Sequence, residues 1–194
     1  MVRVYFEVGK AWVFACAVDY PGWQRRAKGE EAALETLEDY RSRYGEAVGS
    51  APVGELHVVA SVPATMTTDF GAPDARGPWD EEPLQPHEVN ALGSAWSAFD
   101  RAVAGASPEL RKGPRGGGRD RDQIADHVRE AERSYARKLG VKLPPRTSCD
   151  DQRAAIAAQL RTTGPTDWSP KYFVRRTAWH VLDHAWEIED KSLS

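Results

Sequence analysis

The chain reads as a small α+β domain followed by an all-α four-helix bundle, and three observations carry that expectation. Two β-rich stretches near the N-terminus, Val2 to Val8 and Trp12 to Val18, meet at Gly9-Lys10 in the manner of a tight hairpin. Past residue 86 the pattern becomes helical, with Val89, Leu92, Trp96, Phe99 and Val103 at spacings of three and four. Between the two patterns, Pro63, Pro73, Pro78, Pro83 and Pro86 interrupt any long element.

In order along the chain, the hairpin is followed by the turn Asp19-Tyr20-Pro21-Gly22-Trp23. An acidic-started segment, Glu30 to Tyr44, comes next, and Leu34, Leu37, Arg41 and Tyr44 predict a helix there. Leu56 to Val62 supplies a further strand. The order β-β-α-β predicts a helix packed on an antiparallel sheet, in a domain spanning residues 1–62. Residues 63–86 are the linker, and its Phe70 and Trp79 imply that it lies against a domain surface. The helical domain occupies 87–194. Its first helix runs from Glu88 to Val103. The second runs from about Asp122 to Leu139, with Ile124, Val128, Ala131, Tyr135 and Leu139 inward. A third starts near Ser148 and carries Ile156 and Leu160 among alanines. The fourth opens with Ser169 as N-cap and Pro170 at its first position, a favoured start, and continues to about Asp190.

Bulk composition narrows the function classes. A length of 194 residues is enough to bury a real core, and the net charge of −3 argues against strong non-specific binding to nucleic acid or to an acidic membrane surface. The longest apolar run, Ala11 to Val18, is too short to span a bilayer, and the N-terminus lacks a basic-then-apolar signal pattern. A cytoplasmic protein is expected. Cys16 and Cys149 fall in different predicted domains with no metal-binding spacing, and read as reduced thiols.

Only five histidines occur, and two of them, His180 and His184, stand four residues apart on the fourth helix. Residues at that spacing share a helix face, so both imidazoles can reach one ion. His127 lies three residues after Ile124 on the inner side of the second helix and offers a third ligand. Three histidines leave a coordination position of the kind catalytic metals need, whereas the competing reading is a metal-free polar core. His57 and His87 are left to surface or capping roles. A peptidase is disfavoured, because Val181 stands where H-E-x-x-H requires a glutamate. The inverted motif is approached only with Asp183 in place of glutamate. Arg176, Asp183 and Glu187 read either as groups that orient imidazoles or substrate, or as ordinary helix ion pairs.

The segment Gly113-Pro114-Arg115-Gly116-Gly117-Gly118-Arg119-Asp120-Arg121-Asp122 leads directly into the second helix. Free N–H groups at a helix start attract anions, and Arg115, Arg119 and Arg121 would add donors for carboxylate or phosphate. The segment reads equally as a solvated loop whose Asp120 and Gln123 form a capping box. No Lys-Ser or Lys-Thr follows the glycines, so it is not a nucleotide-binding loop.

With these residues in hand, the region from Glu88 to Asp190 resembles the DinB-like superfamily of four-helix metalloproteins, which includes bacillithiol transferases and mycothiol-dependent maleylpyruvate isomerases. Asp126-His127-Val128 with Glu130, and Trp179-His180-Val181-Leu182-Asp183-His184-Ala185-Trp186, carry the resemblance. Residues 2 to 62 resemble the HicB-like antitoxin fold through Val4-Tyr5-Phe6-Glu7-Val8-Gly9, Ala17-Val18-Asp19-Tyr20-Pro21-Gly22-Trp23 and Glu30-Glu31-Ala32. Between Met1 and Val62 there are seven Lys/Arg and nine Asp/Glu, a net of −2, which leaves no basic face for nucleic acid.

The resemblance implies a divalent metal on His127, His180 and His184, zinc or nickel ahead of iron. It further implies thiol-transferase chemistry with a low-molecular-weight thiol such as mycothiol, acting on a small acidic or electrophilic molecule. Arg115, Arg119 and Arg176 are the expected substrate-binding residues, and a homodimer is the expected assembly. Isomerase or hydrolase chemistry fits the same site. The alternative is a non-catalytic, metal-stabilised binding or regulatory protein whose HicB-like half engages a partner, with toxin neutralisation as a third reading.

Overall fold

The computed structural model describes residues 1–114, 117–162 and 164–193. Its elements run β1 (Val2–Val8), β2 (Val13–Ala17), β3 (Gln24–Ala27), α1 (Glu30–Asp39), α2 (Arg41–Val48), β4 (Leu56–Pro63), α3 (Pro86–Gly105), α4 (Arg121–Lys138), α5 (Cys149–Gln159) and α6 (Pro170–Lys191). A 3-10 turn at Pro78–Glu81 precedes α3. No helix among the described residues is long and apolar enough to cross a membrane.

This architecture corrects the expectation of a β-β-α-β unit followed by a simple four-helix bundle. The sheet has four strands in the order β3-β2-β1-β4 and is mixed: β1 pairs antiparallel with β2 and parallel with β4. β3 has the sequence Gln-Arg-Arg-Ala, with no apolar alternation, and is a strand because its backbone pairs with β2 and α1 covers it. The single helix expected over 30–44 is two, divided at Tyr40, whose N–H bonds back to Leu37 in a tightened last turn.

The helical region departs from a bundle because of α6. Every residue from Lys171 to Leu182 is buried, so this helix has no solvent face over that length. A bundle helix would bury one stripe. Val174, Ala178, Val181 and Leu182 belong to the same core as Val4, Phe6, Ala15 and Ala17 of the sheet and Leu92, Ala95 and Phe99 of α3. Trp179 enters a second, smaller core with Tyr5, Phe14 and Cys16 of the opposite sheet face, and with Trp79. The approach is close enough that a β-carbon at Gly22 would sit 2.7 Å from Leu182 Cδ1 and 3.2 Å from the Ala178 backbone. Gly22 also has φ +94°, so the turn needs glycine on both counts. By contrast α5 buries only Gln152 and Ile156.

The proline-rich segment is tied down by charges as well as by Trp79. The Glu7 carboxylate on β1 is fully buried and accepts the N–H groups of Asp74 and Ala75 at 2.9–3.0 Å and the Thr68 hydroxyl. From the other side, Arg175 on α6 donates to Asp80 at 2.8–3.0 Å and to the Ala75 carbonyl at 3.1 Å. Trp79 stacks on Tyr5 with ring centroids 4.4 Å apart, while Phe70 is 86% exposed. Residues 68–81 thus join β1 to α6.

Candidate metal centre

α4 carries His127 beside the buried residues Ile124 and Val128, and its first turn is fixed by a capping box in which Gln123 accepts from the Asp120 N–H at 3.0 Å. α6 carries His180 and His184 one turn apart. Ser169 caps that helix by accepting from Tyr172 N–H, so the position of both imidazoles follows from a well-defined start. Where α4 crosses α6, one ring nitrogen from each of the three histidines lies within 4.8 Å of the others. The Nε2 atoms of His127 and His180 are 3.2 Å apart. Two nitrogens bound at about 2.0–2.1 Å on a tetrahedral ion stand about 3.3 Å apart, so that pair already has the separation an ion requires.

At His180 and His127 the electrostatics favour uncharged rings with free lone pairs. Burial, then the neighbouring His184, Arg176, His127 and Arg119, hold His180 well below the usual histidine range. Burial and then Arg119 and His184 also lower His127. His184 Nδ1 faces a Glu187 carboxylate oxygen at 2.7 Å, which leaves its Nε2 as the atom for a ligand. Glu187 is itself lowered to about 2, first by that contact and then by Lys191 at 2.5 Å. The Nδ1 of His180 is buried with no hydrogen-bond partner among the described residues. These residues fit a divalent ion: three imidazoles converge, and one is oriented by a carboxylate.

The other expected site residues fall into different places. Arg176 is buried, donates to the Pro73 carbonyl at 2.9 Å and lies over the rings of Trp179 and Tyr135 at 5.1 and 5.7 Å. Its charge acts on His180. Arg119 is exposed and acts on both His127 and His180. Arg115 lies outside the described residues. Arg121 turns away, donating to the Ala106 carbonyl at 2.9 Å. Asp183 pairs with Arg25 at 2.9 Å, and Glu187 alone of the two acids reaches a histidine. His57 lies on β4, and His87 contacts the Asp19 carbonyl at 3.3 Å, both away from the cluster.

Tyr135 and Lys191 were not anticipated at the site. The Tyr135 ring lies 5.8 Å from that of His180 and 5.2 Å from that of Trp168. Its position eight residues after His127 on one helix face was the available signal. Lys191 had none, because its role depends on the pairing of Glu187 with His184. Comparison of the chain with protein-family models, with curated proteins and with solved structures finds no match.

Proposed function

We propose that the chain is a cytoplasmic, divalent-metal protein of the DinB-like kind, acting as a thiol-transferase on a small acidic or electrophilic molecule. The observation that carries this reading is the convergence of three imidazole nitrogens from α4 and α6 within 4.8 Å. His127, His180 and His184 would hold the ion, zinc or nickel suiting three nitrogens of this kind. Bound there, a divalent ion supplies a Lewis acid that favours the thiolate of a coordinated thiol, or hydroxide over water.

The chain's own groups have separable tasks. Glu187 fixes the tautomer of His184 by accepting at Nδ1, with Lys191 holding the other carboxylate oxygen. Arg176 and Arg119 place positive charge beside the histidines and attract an anionic substrate group. Tyr135 and Trp179 set aromatic rings 5.8 and 6.3 Å from that of His180, and Trp168 packs on Tyr135. The test is elemental analysis of wild type beside His180→Ala, followed by a thiol-transfer screen against electrophiles with and without a carboxylate. Stoichiometric metal with transfer that requires it supports the reading. Metal without thiol transfer would refute the reaction while leaving the site.

A further inference from the structure

A surface concavity of about 770 Å³ lies far in sequence from the histidines, between α1 and the segment Pro52 to Leu56 that leads into β4. Glu31, Leu34, Glu35 and Glu38 line one wall at spacings of three and four, so they form one face of α1, while Ala33 and Leu37 face the core. The opposite wall contains Val53, 83% exposed, Glu55 and Leu56. Strand register extends this apolar surface. Leu56 pairs with Val2 and Val58 with Val4, so Val58 points to the same side of the sheet as Leu56 and is 39% exposed. α1 covers β2 and β3, and β4 is the sheet edge beyond them.

Charge indicates what can cover this trough. Four glutamates line it against one arginine, Arg41, which is already paired with Glu38 at 2.5 Å. A second copy related by a two-fold axis would set these glutamate rows against each other, and an anionic lipid surface would be repelled. We propose that the α1–β4 trough is a docking site for a cationic amphipathic segment of a partner protein, its apolar residues on Leu34, Val53, Leu56 and Val58 and its Lys/Arg side chains on Glu31, Glu35 and Glu55. The proposal is independent of the metal centre, and replacing His180 leaves it untouched.

The test uses the full chain and a fluorescein-labelled Lys/Leu peptide of about 18 residues in helical period, beside a scrambled peptide of equal composition, read by anisotropy. Saturable binding of the patterned peptide is expected, weakened about tenfold or more by Glu35→Lys and by Val58→Asp. Glu109→Lys, an equal charge change at an exposed position elsewhere, should alter it less than about twofold. Thermal melts establish that each variant is folded, and both trough residues are exposed or partly so. Equal binding of the two peptides, or equal loss with Glu109→Lys, would overturn the proposal as mere electrostatic attraction. A dimer of the chain that Val58→Asp dissociates would overturn it in favour of a second copy.

Discussion

Glu132 makes stability depend on pH in a direction that can be worked out in advance. Its side chain is 1% exposed on α4, where it accepts from Trp96 Nε1 of α3 and, at 3.4 Å, from Gln152 Nε2 of α5, with Arg153 Nε 3.9 Å away. Burial dominates these partners and pushes the carboxyl up to about 7 from an ordinary 4.5. Below pH 4.5 the group is protonated both folded and unfolded, and the native state is at its best with respect to this residue. As pH rises towards 7 the unfolded chain releases its proton first, so folding is progressively disfavoured. The gap, at about 1.4 kcal/mol per pH unit, amounts to about 3 kcal/mol lost across that window. Urea melts from pH 4 to 8 on wild type and Glu132→Gln, which keeps an acceptor without the titration, measure it. The variant should lose less stability than wild type over the window and be the more stable of the two at pH 8. Parallel pH profiles would refute the account of Glu132.

Three further outcomes follow from the contacts. Asp80→Ala leaves the buried Arg175 guanidinium uncompensated and should lower stability by about 3–5 kcal/mol in chemical denaturation, whereas a change under about 1 kcal/mol would mean that the join between residues 68–81 and α6 is not held by this pair. Glu187→Ala removes the acceptor from His184 and should weaken metal affinity about 10–100-fold in chelator competition, while Asp183→Ala, which touches Arg25, should shift it by less than about threefold. Gly22→Ala places a β-carbon against α6 at positive φ, and should lower the melting temperature by several degrees or prevent folding, so a neutral effect would show that the turn can move aside.

What was legible in the sequence is what local chemistry encodes. β1 has the span its alternating apolar residues suggested, and α6 starts where Ser169 and Pro170 said it would. The i,i+4 histidine pair and the inward place of His127 were visible from helical period alone. β3 was not, because its polar residues become a strand only through pairing with β2. The all-round burial of α6 was hidden for a related reason. Lys171, Arg175 and Arg176 are of residue types that ordinarily stay in solvent, and are buried because Glu88, Asp80 and the Pro73 carbonyl, distant in sequence, meet their charges. Expecting a bundle followed from counting helical stripes; the missing information was which charges had partners.

The central claim, that α4 and α6 together hold one divalent ion, is tested most directly by metal stoichiometry. Wild type and the single variants His127→Ala, His180→Ala and His184→Ala, purified alike and loaded with equal zinc or nickel, should be measured by plasma mass spectrometry after desalting. About one ion per chain is expected in wild type, with each variant falling to about a tenth of that or less. Equal metal in all four proteins, or none in any of them, would contradict it.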